Sequence, residues 1–270
     1  MQVNDDDLKI FEAEGAPPLP AGGRQGFVAR DGARIWFSMH GAGPAVALLH
    51  GGLGHAGNWG HQVPALMAAG RTVLVIDSHG HGRSTRDAGP FGYVRMAEDV
   101  LAVMDHLGLQ TAGLVGWSDG AVTALILADR HPERVEGVFF FACNMDPGGA
   151  RDLEPTPVLD RCFNRHRLDY AALSATPDDF DGFVADVSRM MQSEPDYSAA
   201  QLAAIRVPVA IVIGEGDEFI RQEHAAYLAH TIPGATLRVL PGVSHFAPLQ
   251  RPDLFNRTVL DFLDRLQSAP

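Results

Sequence analysis

Three residues of this chain have the types and settings that nucleophilic catalysis requires. Ser118 lies in Gly116-Trp117-Ser118-Asp119-Gly120, between the apolar run Gly113–Val115 and the helix-patterned stretch Ala121–Arg130. A serine held in a tight strand-to-helix turn has a strained backbone. Glycines two residues to either side let neighbouring chain approach, so the hydroxyl is presented outward. The helix that starts there supplies unpaired N–H groups and the positive end of its dipole, both favourable to an oxyanion. An alcohol is a weak nucleophile at neutral pH and needs a base, and that base needs an acid to fix its tautomer and stabilise the imidazolium. Asp217, in Gly214-Glu215-Gly216-Asp217, follows the apolar run Val207–Ile213. His245, in Pro241-Gly242-Val243-Ser244-His245-Phe246, follows Thr236–Leu240. Singly, a turn serine, a loop-capping aspartate and one of twelve histidines are unremarkable. Each after a strand and in the order Ser, Asp, His, they point to acyl transfer through a serine. Asp146, just beyond Val135–Phe141, is the alternative acid.

The run His50-Gly51-Gly52-Leu53-Gly54 follows the apolar segment Ala45–Leu49 and supplies a second component. Its glycines permit a main-chain N–H to point at a reacting carbonyl and to complete an oxyanion hole with the N–H of Asp119. Gly52 is the first candidate donor and Leu53 the neighbouring one, while His50 orients the loop. The Asp119 carboxylate either stabilises the helix N-terminus or faces the pocket, where it would pair with a substrate ammonium or hydroxyl such as an amino-acid ester offers. Met145 and Phe246 are candidate substrate contacts. Trp59, Met190 and Met191 suit a pocket or the core equally. His79 and His81 belong to a glycine-rich loop without carboxylate or thiol at ligand spacing, so no metal site is expected there.

Short aliphatic runs that read as buried strands position these residues: Ala45–Leu49, Thr72–Ile76, Gly113–Val115, Val135–Phe141, Val207–Ile213 and Thr236–Leu240. Between them, Val94–Leu107, Ala121–Arg130, Glu223–Thr231 and Pro252–Leu266 carry apolar residues at helical spacing. Such alternation predicts an α/β fold, a mostly parallel sheet with helices on both faces. Phe27–Ala29 and Ile35–Met39 straddle Asp31 and Gly32 as an edge hairpin would. The rhythm breaks from Asp146 to Leu202, where Val158–Leu168 and Phe180–Met191 favour helices. Residues 147–202 hold ten acidic and five basic residues, a solvated face or a mouth that disfavours anions. The predicted division is therefore a core of residues 1–145 and 203–270 and a helical insertion of 146–202.

Hydrophobic residues at 46% and charged residues at 20% of 270 describe a globular chain large enough for a sizeable core. A formal charge of −12 argues against nucleic acid and anionic lipid surfaces as partners. Two cysteines, Cys143 and Cys162, are too few for a disulfide framework, and buried thiols in a cytoplasmic protein are the simplest expectation. Met1–Gly23 is acidic and then Pro/Gly-rich, without a basic start and apolar stretch, so it reads as a segment that frays or wraps the surface rather than a targeting sequence. No apolar run approaches bilayer-spanning length. A monomer or homodimer is expected.

The chain resembles the α/β-hydrolase fold family in its compact capped form. The resemblance rests on His50-Gly51-Gly52-Leu53-Gly54, Asp77-Ser78-His79-Gly80-His81-Gly82-Arg83-Ser84, Gly116-Trp117-Ser118-Asp119-Gly120, Gly214 with Asp217, and Gly242-Val243-Ser244-His245. The Trp-Ser-Asp elbow is similar to that of the biphenyl-hydrolase-like branch. The resemblance implies an eight-stranded sheet, a Ser118-Asp217-His245 triad, no metal or organic cofactor, and a small helical cap coinciding with the insertion. His79 departs from it, standing where relatives commonly carry arginine, which questions the ion pairing of that loop. Relatives that form an alkyl-enzyme ester use aspartate as nucleophile, a chemistry Ser118 does not serve. The expected activity is hydrolysis of small-molecule carboxylic esters or lactones through an acyl-serine. Alternatives are a triad-bearing receptor or signalling protein with little turnover, and carbon–carbon bond hydrolysis or perhydrolysis on the same residues.

Overall fold

A computed structural model of the chain describes residues 6–268, in which the alternation of apolar runs becomes an eight-stranded sheet. Its strands are β1 (Arg24–Arg30), β2 (Ala33–Gly41), β3 (Ala45–Leu49), β4 (Thr72–Ile76), β5 (Ala112–Trp117), β6 (Val135–Phe141), β7 (Val209–Gly214) and β8 (Thr236–Leu240). They lie in the order β1-β2-β4-β3-β5-β6-β7-β8. The β1–β2 and β2–β4 pairs are antiparallel and the others parallel. The hairpin turns through Asp31 and Gly32, both at positive φ, and forms one edge of the sheet as expected.

Ten α-helices surround the sheet among the described residues: α1 (Asp6–Glu14), α2 (Gln62–Ala68), α3 (Tyr93–Leu107), α4 (Asp119–Arg130), α5 (Pro157–Leu173), α6 (Phe180–Ser193), α7 (Ala199–Leu202), α8 (Gln222–Thr231), α9 (Ala247–Gln250) and α10 (Pro252–Ser268). Strand side chains alternate between two cores. Leu114, Val138 and Phe140 join Val100 of α3 and Leu125 of α4 on one face. Val115, Phe139 and Phe141 join Leu66 of α2 and Val259 of α10 on the other. A strand enclosed on both faces favours apolar residues throughout, which is why β3, β5 and β7 read as unbroken runs while β4 and β6 carry a polar residue, Thr72 and Glu136, only near their starts. Caps set the helix limits. Thr156 accepts from the Leu159 N–H at the start of α5, with Pro157 as its first residue, and Gly108 in the left-handed region ends α3.

Two sequence expectations need correction. β8 is not a buried strand: it is the outermost one, with a single neighbour, and Leu237 and Val239 are 43% and 44% exposed. Of the two expectations for the N-terminal segment, fraying fails from residue 6 onward and wrapping holds only after the first helix. The segment forms α1, whose Leu8 and Phe11 are buried in the second core, and residues 15–23 then wrap the surface; residues 1–5 lie outside the described region. Between β6 and β7 the chain forms α5, α6 and α7 with no strand. Before α5, Ala150 bridges Ile220 in an antiparallel seam, where the Arg151 N–H donates to the Phe219 carbonyl at 2.7 Å and the Arg221 N–H to the Gly149 carbonyl at 3.0 Å. No helix among the described residues is long and apolar enough to cross a membrane.

Candidate active site

Parallel pairing brings the carboxyl ends of β3, β5, β6, β7 and β8 to one edge of the sheet, and the candidate residues lie in the loops that leave that edge. Ser118 stands between β5 and α4 at φ 55° and ψ −124°, a conformation rarely adopted by residues with a side chain. Its N–H donates to the Phe141 carbonyl at 2.8 Å, and its carbonyl accepts from Ala121 at 2.7 Å, so the turn is pinned from both sides. A Cβ on Gly116 would overlap the Ala121 backbone, and one on Gly120 would overlap the Leu49 carbonyl. The elbow glycines thus permit close approach.

The His245 ring lies with Nδ1 at 3.0 Å and 3.2 Å from the two carboxylate oxygens of Asp217. Asp217 is itself fixed: Oδ1 accepts the N–H groups of Phe219 and Ile220 at 3.0 Å and 2.9 Å, and its carbonyl accepts from Arg151 Nη1 at 2.7 Å. With Nδ1–H donating to Asp217, Nε2 is the basic nitrogen. Burial disfavours the imidazolium, but Asp217, Glu218 and Asp119 outweigh it and hold His245 above the ordinary histidine value. The Phe219 ring packs 4.5 Å from the imidazole, between centroids, and Phe246 lies at 5.6 Å. Asp146, the alternative acid, instead caps the Gly148 N–H at 2.9 Å and stands 3.8 Å from His224, whose Nε2 accepts the Met145 N–H.

The loop after β3 runs alongside the elbow. Its His50 accepts the Ser78 N–H at Nε2, so Nδ1 carries the hydrogen donated to the Gly51 carbonyl at 2.8 Å. Burial lowers the His50 pKa to about 4, which makes it a neutral brace for the loop. Gly54 closes a turn onto the Gly51 carbonyl at 3.1 Å, with Leu53 at φ 63°. No loop or cap hydrogen bond among the described residues uses the main-chain N–H of Gly52, Leu53 or Asp119. A Cβ on Gly52 would collide with Met191 Cε and Asp119 Oδ2, so loop, insertion and elbow meet at this glycine.

The Asp119 side chain is buried. Its Oδ1 accepts the Tyr93 hydroxyl at 2.8 Å, whereas Oδ2 has no partner. Burial raises its pKa to about 6, against the opposing effects of the Tyr93 hydrogen bond and His245. The Cys143 thiol is held next to the Ser118 hydroxyl, and burial first and the Asp119 charge second push its pKa well up, so it stays protonated. Met145 is fully enclosed in the core, as is Met190, while Met191 reaches the site. Trp59 is also fully enclosed.

In the glycine-rich loop, Asp77 accepts from the Ala56 N–H at 2.7 Å and from the Arg83 N–H and Nη1, each at 2.8 Å. Arg83 therefore supplies the ion pair that the histidine at position 79 put in question, and His79 faces Asp99 at 3.5 Å. Among the described residues, no group of three or more His, Cys, Asp or Glu side chains could hold a metal ion.

Tyr93 and Glu218 are not singled out by the sequence, and Cys143 is read there only as a buried thiol, which it is, without its place beside the elbow. Tyr93 comes from α3 and Cys143 from beyond β6, so neither has a local signal. Glu218 directly follows the candidate acid, and a second carboxylate beside Asp217 was the available sign.

Comparison with known proteins agrees with this arrangement. Residues 44–193 match the family model described as alpha/beta hydrolase fold. The chain is 30% identical to a 2-hydroxy-6-oxo-6-phenylhexa-2,4-dienoate hydrolase of Burkholderia cepacia over 267 residues, covering 85% of this chain and 91% of that protein. It is 29% identical to the human serine hydrolase BPHL, covering 87% of this chain and 85% of that one. Among solved structures, Est816, described as an N-acyl homoserine lactone degrading enzyme, superposes with a TM-score of 0.70 at 27% identity, over 88% of this chain and 100% of that one. A serine elbow, a paired aspartate and histidine, and an eight-stranded sheet in one chain thus coincide with a family match over more than half its length: the chain belongs to the alpha/beta hydrolase fold family.

Proposed function

We propose that this chain is a serine hydrolase that cleaves small carboxylic esters or lactones through an acyl-serine intermediate. The observation that carries this reading is the His245 imidazole held by Asp217 at the same sheet edge as the strained Ser118 turn. His245 Nε2 takes the proton from Ser118 as its oxygen attacks the carbonyl, and Asp217 stabilises the imidazolium. The N–H of Asp119 and that of Gly52, or of Leu53 one residue on, receive the oxyanion. Collapse expels the alcohol with the proton returned from His245. Water, deprotonated by the same imidazole, then releases the acid.

The helices of 146–202 act as a cap in this reading, supported by Met191 over Gly52 and by the Glu194 carboxylate, which accepts the Tyr93 N–H at 3.0 Å. Asp119, with one oxygen buried and unpartnered, is the group that would take a substrate ammonium.

Labelling with a fluorophosphonate, followed by burst and steady-state rates on a panel of nitrophenyl esters and lactones, tests the proposal. Labelling of Ser118 with sustained turnover supports it. Labelling without turnover favours a receptor role, and no labelling refutes it. A second reading is supported by the similarity to the dienoate hydrolase. The substrate in that protein's name carries a ketone where an ester would stand, so hydrolysis there must break a carbon–carbon bond. Product analysis with a ketone of that type separates the two readings.

A further inference from the structure

Two consecutive carboxylates hold the two ends of His245. Asp217 takes the ring through Nδ1, and Glu218 Oε2 accepts the main-chain N–H of the same histidine at 2.9 Å. The acid turn fixes the Asp217 side chain, because its Oδ1 bonds the N–H groups of Phe219 and Ile220 on the far side of Glu218. We propose that Glu218 is a positioning residue for the hydrolysis argued above: it anchors the backbone of the histidine loop to the acid turn and adds a second carboxylate charge to that of Asp217 at the imidazole.

Among the described residues, the charged groups that bear on the imidazole are Asp217, Glu218 and, from the start of α4, Asp119. Burial and the Glu218 charge both keep the Cys162 thiol of α5 protonated, so no titrating thiol competes with Glu218. Partial burial raises the Glu218 pKa above the usual carboxylate value, while the His245 N–H and the imidazolium pull it down. An anion beside the imidazole favours the imidazolium, so removing the charge must move the titration of His245 to lower pH. Glutamine preserves an oxygen acceptor for the His245 N–H. Alanine does not.

The test compares wild type, Glu218→Gln and Glu218→Ala by the rate of fluorophosphonate labelling against pH. The imidazole titration of His245 is followed by NMR in the same proteins, with its signal assigned by its loss in His245→Gln. In Glu218→Gln the acid limb of labelling and the NMR midpoint should both fall by about 0.5 unit, with most of the limiting rate retained. In Glu218→Ala the same movement should be joined by a roughly tenfold loss of limiting rate. A midpoint that stays in place in Glu218→Gln overturns the proposal, as does a limiting rate that drops as far as in Glu218→Ala. If Glu218→Ala is not recovered folded, the Glu218→Gln midpoint alone decides. Absence of labelling in the wild type refutes the serine hydrolase reading itself, and the NMR midpoint, which needs no turnover, still tests the role of Glu218.

Discussion

His50 and His166 are buried imidazoles that the fold keeps neutral, and acid should unfold the protein through them. Each has its pKa lowered from 6.5 to about 4, by burial first and by neighbouring histidines in part; His81, between His50 and Phe183, is lowered in the same direction. In the unfolded chain these rings take up a proton near pH 6.5, whereas the native state resists until about pH 4. Their stability contribution is therefore complete above pH 6.5 and lost as the pH falls towards 4. With a displacement of about 2.5 units, each ring forfeits roughly 3 kcal/mol below pH 4 and about 2 kcal/mol at pH 5. Urea unfolding at pH 7 and pH 5 measures the loss directly. His166→Leu keeps an apolar filler beside Phe11 and removes one titrating ring. The drop in unfolding free energy between the two pH values should shrink by about 2 kcal/mol in this variant. An unchanged drop would show that His166 does not resist protonation in the native state and would refute the reasoning.

Ser118→Ala should lower kcat by several orders of magnitude with the fold intact, a circular dichroism spectrum and Tm serving as controls. Gly52→Ala places a methyl group against Met191 and Asp119 and should depress kcat at least tenfold with little change in unfolding free energy; a wild-type rate would contradict the crowding there. Asp119→Asn should reduce kcat/KM for cationic esters more than for neutral ones, and equal effects would remove Asp119 from substrate recognition. Because Asp119 ionises near pH 6, preference for cationic esters should emerge as the pH rises through that value. Tyr93→Phe, which deletes a hydrogen bond to the anion, should delay that emergence to higher pH.

The parts of the fold that sequence reveals are those whose environment is uniform, strictly periodic or marked by a turn. β3 and β4 occupy the residues read as Ala45–Leu49 and Thr72–Ile76, because enclosure on both faces makes the four residues that end each strand continuously apolar. β8 has a charged residue, Arg238, at its centre as the one local sign of exposure, while its place at the sheet edge is set by the order of the strands, which no local pattern encodes. α1 is hard to read because Leu8 and Phe11 alone among the described side chains of a short, half-charged helix are buried while Ile10 is exposed, and α2 because Pro64 interrupts its pattern. The site divides in the same way. Ser118, Asp217 and His245 stand in turn motifs that must be written locally. Tyr93 reaches Asp119 across 26 residues and Met191 reaches Gly52 from another helix, contacts that exist only once the layers are stacked.

The strip in which Ala150 bridges Ile220 has a consequence for how such a protein diversifies. The first stretch after β6 is stitched to the acid's own turn, so any swing of the following helices must originate beyond Arg151, in the irregular and largely exposed residues 152–156. If the helices of 146–202 cap the site as proposed, foreign helices grafted downstream of that root would change which molecules gain entry while Asp217 kept its grip on the imidazole, letting selectivity drift without retuning the chemistry.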